Sequence, residues 1–251
     1  MGRYDRSVLP SHFREKLTDG DLERNSTLQC FDKLTHQLER LDQSRHAIDT
    51  ILDIGCVEGG FVTALGDYLD ASDIYGIELN EAMCKRAQQR GVETFHLDVE
   101  RHALPFDDDS VDLVIGFGVI EHLRYVDHLF EEIQRVLVDG WFWMATPNLG
   151  SWLNRLSLLA GFQPRNVELS SQRAAGILPH YKRQTPLDHV HAPTYKALIE
   201  LLEHHGFAVV DSAGLTPYTV PGIAAHIDAI LACRPHLARR VAVLAEQSNT
   251  P

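Results

Sequence analysis

Residues 51–60, Ile51-Leu52-Asp53-Ile54-Gly55-Cys56-Val57-Glu58-Gly59-Gly60, constrain the chain more than any other stretch. An apolar run meets an acid, turns on glycines and enters the helix-like segment Phe61–Leu69. A strand led through such a turn into a helix opens a nucleotide-binding α/β domain, because glycine lets the backbone approach a ligand closely. A dinucleotide would place its pyrophosphate on the helix N-terminus, where N–H groups and the helix dipole favour an anion. Here the turn carries the acids Asp53 and Glu58, and Val57 replaces the second glycine of G-x-G-x-x-G. Acids suit a cation better. S-adenosylmethionine, with an ammonium, a sulfonium and no phosphate, fits such a turn; the same acids disfavour a nicotinamide dinucleotide. The plain alternative is a glycine turn that only reverses the chain.

The 251 residues, 44% of them hydrophobic, suffice for one α/β domain with a sizeable core. The expected divisions are an N-terminal arm and lid helix (1–46), a cofactor-binding half (47–148), a substrate-side insertion (149–193) and the rest of the sheet (194–251). A net charge of −12 opposes a chain-wide nucleic-acid or anionic-membrane surface, which needs dense Lys/Arg. Cys30, Cys56, Cys84 and Cys233 show no C-x-x-C spacing, so reduced thiols in a cytoplasm are expected. The first residues lack the apolar core of a signal peptide, and no apolar run approaches membrane-spanning length. The sequence carries no sign of oligomeric state.

Leu28, Phe31, Leu34, Leu38 and Leu41 recur at helical steps, predicting an amphipathic helix from about Asp21 to Arg45 that covers the sheet or closes over a ligand. Strands are predicted over 51–54, 74–79, 92–97, 111–116, 141–146, 207–212 and 240–245. Helices are predicted over 61–69, 81–90, from Asp127 to an Asp139-Gly140 stop, 152–160, 195–205 and 221–233. Asn80 and Thr194 are expected N-caps, and Gly91 and Gly206 expected helix ends. This alternation predicts right-handed βαβ crossovers and a parallel sheet with helices on both faces. The alternation lapses between Asn148 and Pro193, where Arg155, Arg165, Arg173, Lys182 and Arg183 make the chain locally basic. That insertion is the expected substrate wall, able to attract an anionic acceptor, or else a solvated loop.

Glu78 closes the second strand, where an acid can accept hydrogen bonds from both ribose hydroxyls. Asp98 closes the third, within reach of an adenine amino group; a turn-capping acid is the alternative.

Leu52-Asp53-Ile54-Gly55-Cys56, Gly76-Ile77-Glu78, Pro105-Phe106-Asp107, Asp112-Leu113-Val114-Ile115, Val119-Ile120-Glu121-His122-Leu123, Glu132–Leu137 and Thr146-Pro147-Asn148 together resemble the class I S-adenosylmethionine-dependent methyltransferases. They are most similar to the branch with ubiquinone-type O-methyltransferases and other small-molecule enzymes. The resemblance runs from about Thr50 to Phe207. It implies a Rossmann-like, doubly wound, seven-stranded, mostly parallel sheet with an antiparallel last strand, an N-terminal helical lid and a cap insertion before strand six. It assigns Asp53, Gly55, Cys56 and Gly59 to the methionine-end turn, Glu78 and Leu79 to the ribose, and Asp98 and Val99 to the adenine. Gly116–Val119, with Phe117 among them, fall to the strand-four wall by the sulfonium, and Glu121 counts among the cofactor-binding residues. Val57 departs from the family's glycine, which weakens cofactor binding unless the backbone there needs no positive φ.

Methyl transfer is an in-line displacement that needs an oriented nucleophile and, for a hydroxyl, a base. His122 has the chemistry of that base or of an acceptor-orienting group; positioning of the cofactor loop is the alternative. His180, His189 and His191 include metal-ligand types, yet His-x-His before a capped helix reads as surface chemistry, so no metal is expected. Phe117 or Tyr181 could face a sulfonium through a cation–π contact. The expected activity is methyl transfer from S-adenosylmethionine to a small-molecule hydroxyl, leaving S-adenosylhomocysteine, with no nucleic-acid partner. N- or C-methylation, or a silent cofactor-binding module acting through a partner, are the competing readings.

Overall fold

Strand β1 (Thr50–Ile54) is buried along four of its five residues, as a central strand covered on both faces must be. The computed structural model describes residues 25–41, 47–179, 186–216 and 222–248. Around β1 run α1 (Asn25–Glu39), α2 (Gly60–Leu69), β2 (Asp73–Glu78), α3 (Glu81–Gln88), β3 (Glu93–His96), β4 (Val111–Phe117), α4 (Asp127–Val136) and β5 (Leu137–Pro147). They are followed by α5 (Trp152–Leu159), α6 (Tyr195–His204), β6 (Phe207–Leu215), α7 (Ala224–Ala232) and β7 (Arg240–Gln247).

The seven strands lie in the order β3-β2-β1-β4-β5-β7-β6. The first five pair in parallel, and β7 pairs antiparallel to both β5 and β6. The expected doubly wound sheet with an antiparallel last strand is present, and that strand is inserted between its neighbours. Alternate residues of β5 serve opposite faces. Trp141 and Trp143 join Leu28, Phe31, Leu34, Val62 and Leu65 beneath α1 and α2. Phe142 and Met144 join Phe130, Ile133, Leu198 and Leu202 beneath α4 and α6.

Local chemistry explains most boundaries. Asn80 accepts from Ala82 and Met83 N–H groups at 2.9 and 3.3 Å, and the Thr194 hydroxyl accepts from Ala197 N–H at 3.3 Å. Gly91 and Gly206 follow their helices at φ +87° and +79°. Two expectations shift. Val126, not Asp127, is the N-cap of α4, and the acid sits in the first turn, where the helix dipole favours it. Asp139-Gly140 does not stop that helix; Leu137 is already extended, and the pair lies at an irregularity where the β4–β5 register shifts between Val111 and Leu113. Glycine is required there, since a Cβ on Gly140 would lie 2.3 Å from the Asp112 carbonyl oxygen.

Helix α1 covers the sheet. Trp143 Nε1 donates to Gln37 Oε1 at 2.9 Å, and the Thr216 N–H donates to Gln29 Oε1 at 2.9 Å. The predicted start of this helix at Asp21, and residues 42–45 of its predicted end, lie outside the described residues. Cys30, Cys56 and Cys84 are buried free thiols, and Cys233 is exposed. Among the described residues no helix is long and apolar enough to cross a membrane.

Candidate active site

At the C-terminal ends of β1, β2 and β4 the sheet opens into a cavity of about 430 Å³, a size suited to a small ligand. Strand ends of a parallel sheet are where such ligands lie, beside the point where strand order reverses. Its position follows from the turn after β1. Gly55 and Gly59 adopt φ +75° and +76°, and Gly55 N–H donates to the Ile77 carbonyl at 2.8 Å, locking the turn to β2.

Of the residues expected in the site, Gly55, Glu78, Leu79, Asp98, Val99, Phe117 and His122 line this cavity. Ile54, Val57, Ile77, Leu97, Gly118 and Val119 complete most of its wall. Glu78 accepts from Val57 N–H at 3.1 Å and from Asn80 N–H at 2.9 Å, so its carboxylate is fixed at the rim with lone pairs to spare. Asp98 both borders the cavity and caps its own turn, accepting from Glu100 N–H at 3.1 Å and meeting Arg101 at 3.4 Å. Ile77, Leu97 and Val99 add apolar lining to the same cavity, so acids and apolar surface meet there.

The other expected residues stand behind the cavity. Asp53 is buried, and burial followed by the charge of Glu78 holds its carboxyl well above the usual range. Cys56 tucks under Gly76, where an added Cβ would meet its sulfur at 2.5 Å; burial drives this thiol upward also. Gly59 packs on Ala87 and Val92, and Gly116 faces the Phe142 ring. Glu58 pairs with Arg86 of α3 and with Arg90 just past that helix's end, which offset its charge. Val57 has φ +50°, so the backbone does take the conformation that favours glycine.

Glu121 is fully buried and sits just behind the cavity wall, its Oε1 3.6 Å from where a Cβ on the lining residue Gly118 would be. Thr146 donates to its Oε2 at 3.1 Å, and Arg240 donates to Oε1 at 3.4 Å. The Arg240 guanidinium also lies 5.0 Å from the Phe117 ring centre, so it already supplies a cation to that aromatic face. Beside this group Cys30 is pushed up to about 12, mainly by burial and against the lowering effect of Arg240. Arg240 was missed in the sequence, where it reads only as the polar start of an apolar strand.

His122 ends the short 3-10 turn Ile120–His122 and borders the cavity. Its Nδ1 meets the Asp188 carbonyl at 3.1 Å. A carbonyl can only accept, so Nδ1 is the donor in this contact, and in the neutral ring the lone pair then lies on Nε2. The Glu121 carbonyl accepts from Val190 N–H at 2.8 Å, tying the same loop down. Glu121, His122 and His189 bring one ligand atom each within 4.8 Å of one another. This differs from the His180-His189-His191 grouping weighed in the sequence. His191 lies instead on a separate groove with Tyr125 and Leu198, and His180 and Tyr181 are outside the described residues. A cation among the three would compete with Arg240 for the Glu121 carboxylate.

Residues 52–144 match the methyltransferase-domain family. A probable S-adenosylmethionine-dependent methyltransferase of Mycolicibacterium smegmatis is 32% identical over 170 residues, covering 66% of this chain and 54% of the relative. The phthiotriol/phenolphthiotriol dimycocerosates methyltransferase of Mycobacterium leprae is 33% identical over 94 residues, covering 36% and 34% respectively. The chain thus spans about half, or less, of the length of these curated relatives. Among solved structures, a SAM-dependent methyltransferase from Archaeoglobus fulgidus aligns over 95% of this chain and 100% of its own, with a TM-score of 0.58 at 18% identity, a likeness of fold. On the matched segment, the strand order and the cavity at the strand ends, the chain carries a class I S-adenosylmethionine-dependent methyltransferase domain.

Proposed function

We propose that this protein transfers a methyl group from S-adenosylmethionine to a hydroxyl oxygen of a small molecule, with His122 as the base. One observation carries the reading: His122 borders the cavity with Nδ1 held by the Asp188 carbonyl, which leaves Nε2 as the acceptor of a proton. When bound, S-adenosylmethionine supplies a methyl group made electrophilic by a sulfonium. The chain's own part is to hold the nucleoside and to strip a proton from the acceptor. Glu78 receives the ribose hydroxyls, Asp98 and Val99 meet the adenine, and Gly55 with Asp53 behind it faces the cationic tail. Imidazole has the basicity for a neutral-pH base, and a fixed tautomer removes the cost of choosing one during the reaction.

Calorimetry with S-adenosylhomocysteine, followed by transfer of labelled methyl to a panel of alcohols, phenols and amines, tests this. Saturable binding with label on alcohol or phenol oxygen is expected, and His122→Ala should lower turnover by about 10²–10³ at saturating acceptor while leaving S-adenosylhomocysteine affinity near wild type. Label found only on amines, with His122→Ala fully active, would sink the hydroxyl reading. Binding without turnover on any acceptor would favour a silent module.

A further inference from the structure

Strand order divides the edge of the sheet on which the cavity opens. The cavity takes the ends of β1, β2 and β4, while the ends of β5 and β6 and the start of β7 continue the same edge beyond β4. Arg240 begins β7 there, in register with Pro147 of β5 and Leu215 of β6. Its guanidinium carbon lies 5.0 Å from the Phe117 ring centre, and its Nη2 lies 3.4 Å from Glu121 Oε1. That oxygen is in turn 3.6 Å from where a Cβ on Gly118 would be. Phe117 and Gly118 both line the cavity, so the guanidinium stands directly behind two of its wall residues.

The fold leaves this cation underused. A guanidinium carries N–H donors on all three nitrogens. Among the described residues Arg240 makes one hydrogen bond, the long one to Glu121, besides its contacts with the Phe117 ring and the Cys30 thiol. Glu121 has little more to give, since its other oxygen accepts from Thr146 at 3.1 Å. Nor is the group sealed into the core, because the side chain is 16% exposed. Arg135 shows the contrast: it donates from all three nitrogens, to Glu132, Asp108 and the Leu104 and Phe106 carbonyls, at 2.7–3.1 Å. Arg240 thus keeps donors beside the cavity for an oxygen that the chain itself does not supply.

The direction of methyl transfer says what could bring that oxygen. In-line displacement requires the acceptor to approach from the side away from the sulfur. With the nucleoside at Glu78 and Asp98, that side runs from β4 toward β7, where Arg240 stands between the apolar Phe117 and Leu215. A carboxylate matches a guanidinium in charge and hydrogen bonding, whereas the nearby Glu121 repels a dianion such as a phosphate monoester.

We propose that Arg240 binds a carboxylate on the methyl acceptor, which makes the acceptor a small hydroxy acid. The assignment rests on the transfer reading above for the side from which the acceptor comes. Calorimetry on the full chain saturated with S-adenosylhomocysteine tests it, using salicylate, 3-hydroxybenzoate and 3-hydroxybutyrate, each beside its methyl ester. At least one acid should bind about tenfold or more tighter than its ester, and R240Q should erase that gap. R240Q strands the Glu121 carboxylate, so E121Q/R240Q carries the same expectation if the single variant melts too low to assay. No binding by any acid, equal affinity of acid and ester throughout, or a gap that survives both variants overturns the proposal. Labelled methyl transferred to hydroxyls with no such gap would overturn it while leaving the transfer reading in place. A gap that depends on Arg240, with no label transferred, would uphold the carboxylate site and count against the transfer reading.

Discussion

The backbone N–H of Val57 donates to the Glu78 carboxylate at 3.1 Å across the mouth of the cavity, from a residue held at φ +50°. A β-branched side chain in the left-handed region is strained, and Val57 is 48% exposed, so packing returns little. Val57→Gly should therefore stabilise the protein by about 1 kcal/mol while keeping the N–H that Glu78 accepts. Urea unfolding monitored by circular dichroism measures it; a lower midpoint would show that Val57 contributes more by contact than it costs in backbone strain.

Asp53 gives a pH dependence with a definite sign. Burial and Glu78 raise its folded pKa, so the native state binds a proton that the unfolded chain releases. Its contribution to stability is present below the ordinary carboxylate range and is lost as pH rises from there through the folded value. Asp53→Asn should melt higher than wild type at neutral pH, with the gap closing in acid. The same variant should bind S-adenosylhomocysteine more weakly, if the carboxylate serves the ligand's ammonium. Wild-type binding, measured in buffers of different ionisation enthalpy, should release a proton. A variant that melts lower at neutral pH would contradict the first part.

Glu121 and Arg240 form a pair whose side chains are 1% and 16% exposed. Removing one partner of a buried pair strands the other. Glu121→Ala should cost about 3–5 kcal/mol, readable as a lower chemical-denaturation midpoint. Truncating Arg240 as well should recover part of the loss, which a double-mutant cycle would detect.

Gly140→Ala tests the irregular start of β5. The new Cβ would lie 2.3 Å from a backbone oxygen, which no rotamer change can relieve. A loss of at least about 1–3 kcal/mol is expected. Neutral behaviour in denaturant would mean that the β4–β5 bulge opens easily.

Much of this was legible in the sequence, for identifiable reasons. The strands between Ile51 and Thr146 announce themselves through apolar runs bracketed by Asn80 and Gly91, where capping chemistry is local. Gly55, Glu78 and Asp98 end up together because strand ends in a parallel sheet share one edge. What escaped depends on distance in the chain. Glu58 looked available to a ligand because its partners Arg86 and Arg90 come 28 and 32 residues later, one on α3 and one just past its end. Arg240 gave no sign of reaching Glu121, 119 residues earlier, because a charge at a strand's start carries no information about its cross-sheet partner.

Strand β7 pairs with β5 on one side and β6 on the other, though it follows both in the chain. During synthesis β6 therefore has no neighbour to join until residues 240–247 emerge, and β5 presents an open edge for the same interval. Arg240 is the first residue of that strand, so Glu121 also waits, uncompensated, for the same event. Completing the sheet and neutralising the acid behind the candidate active site thus both depend on this one strand.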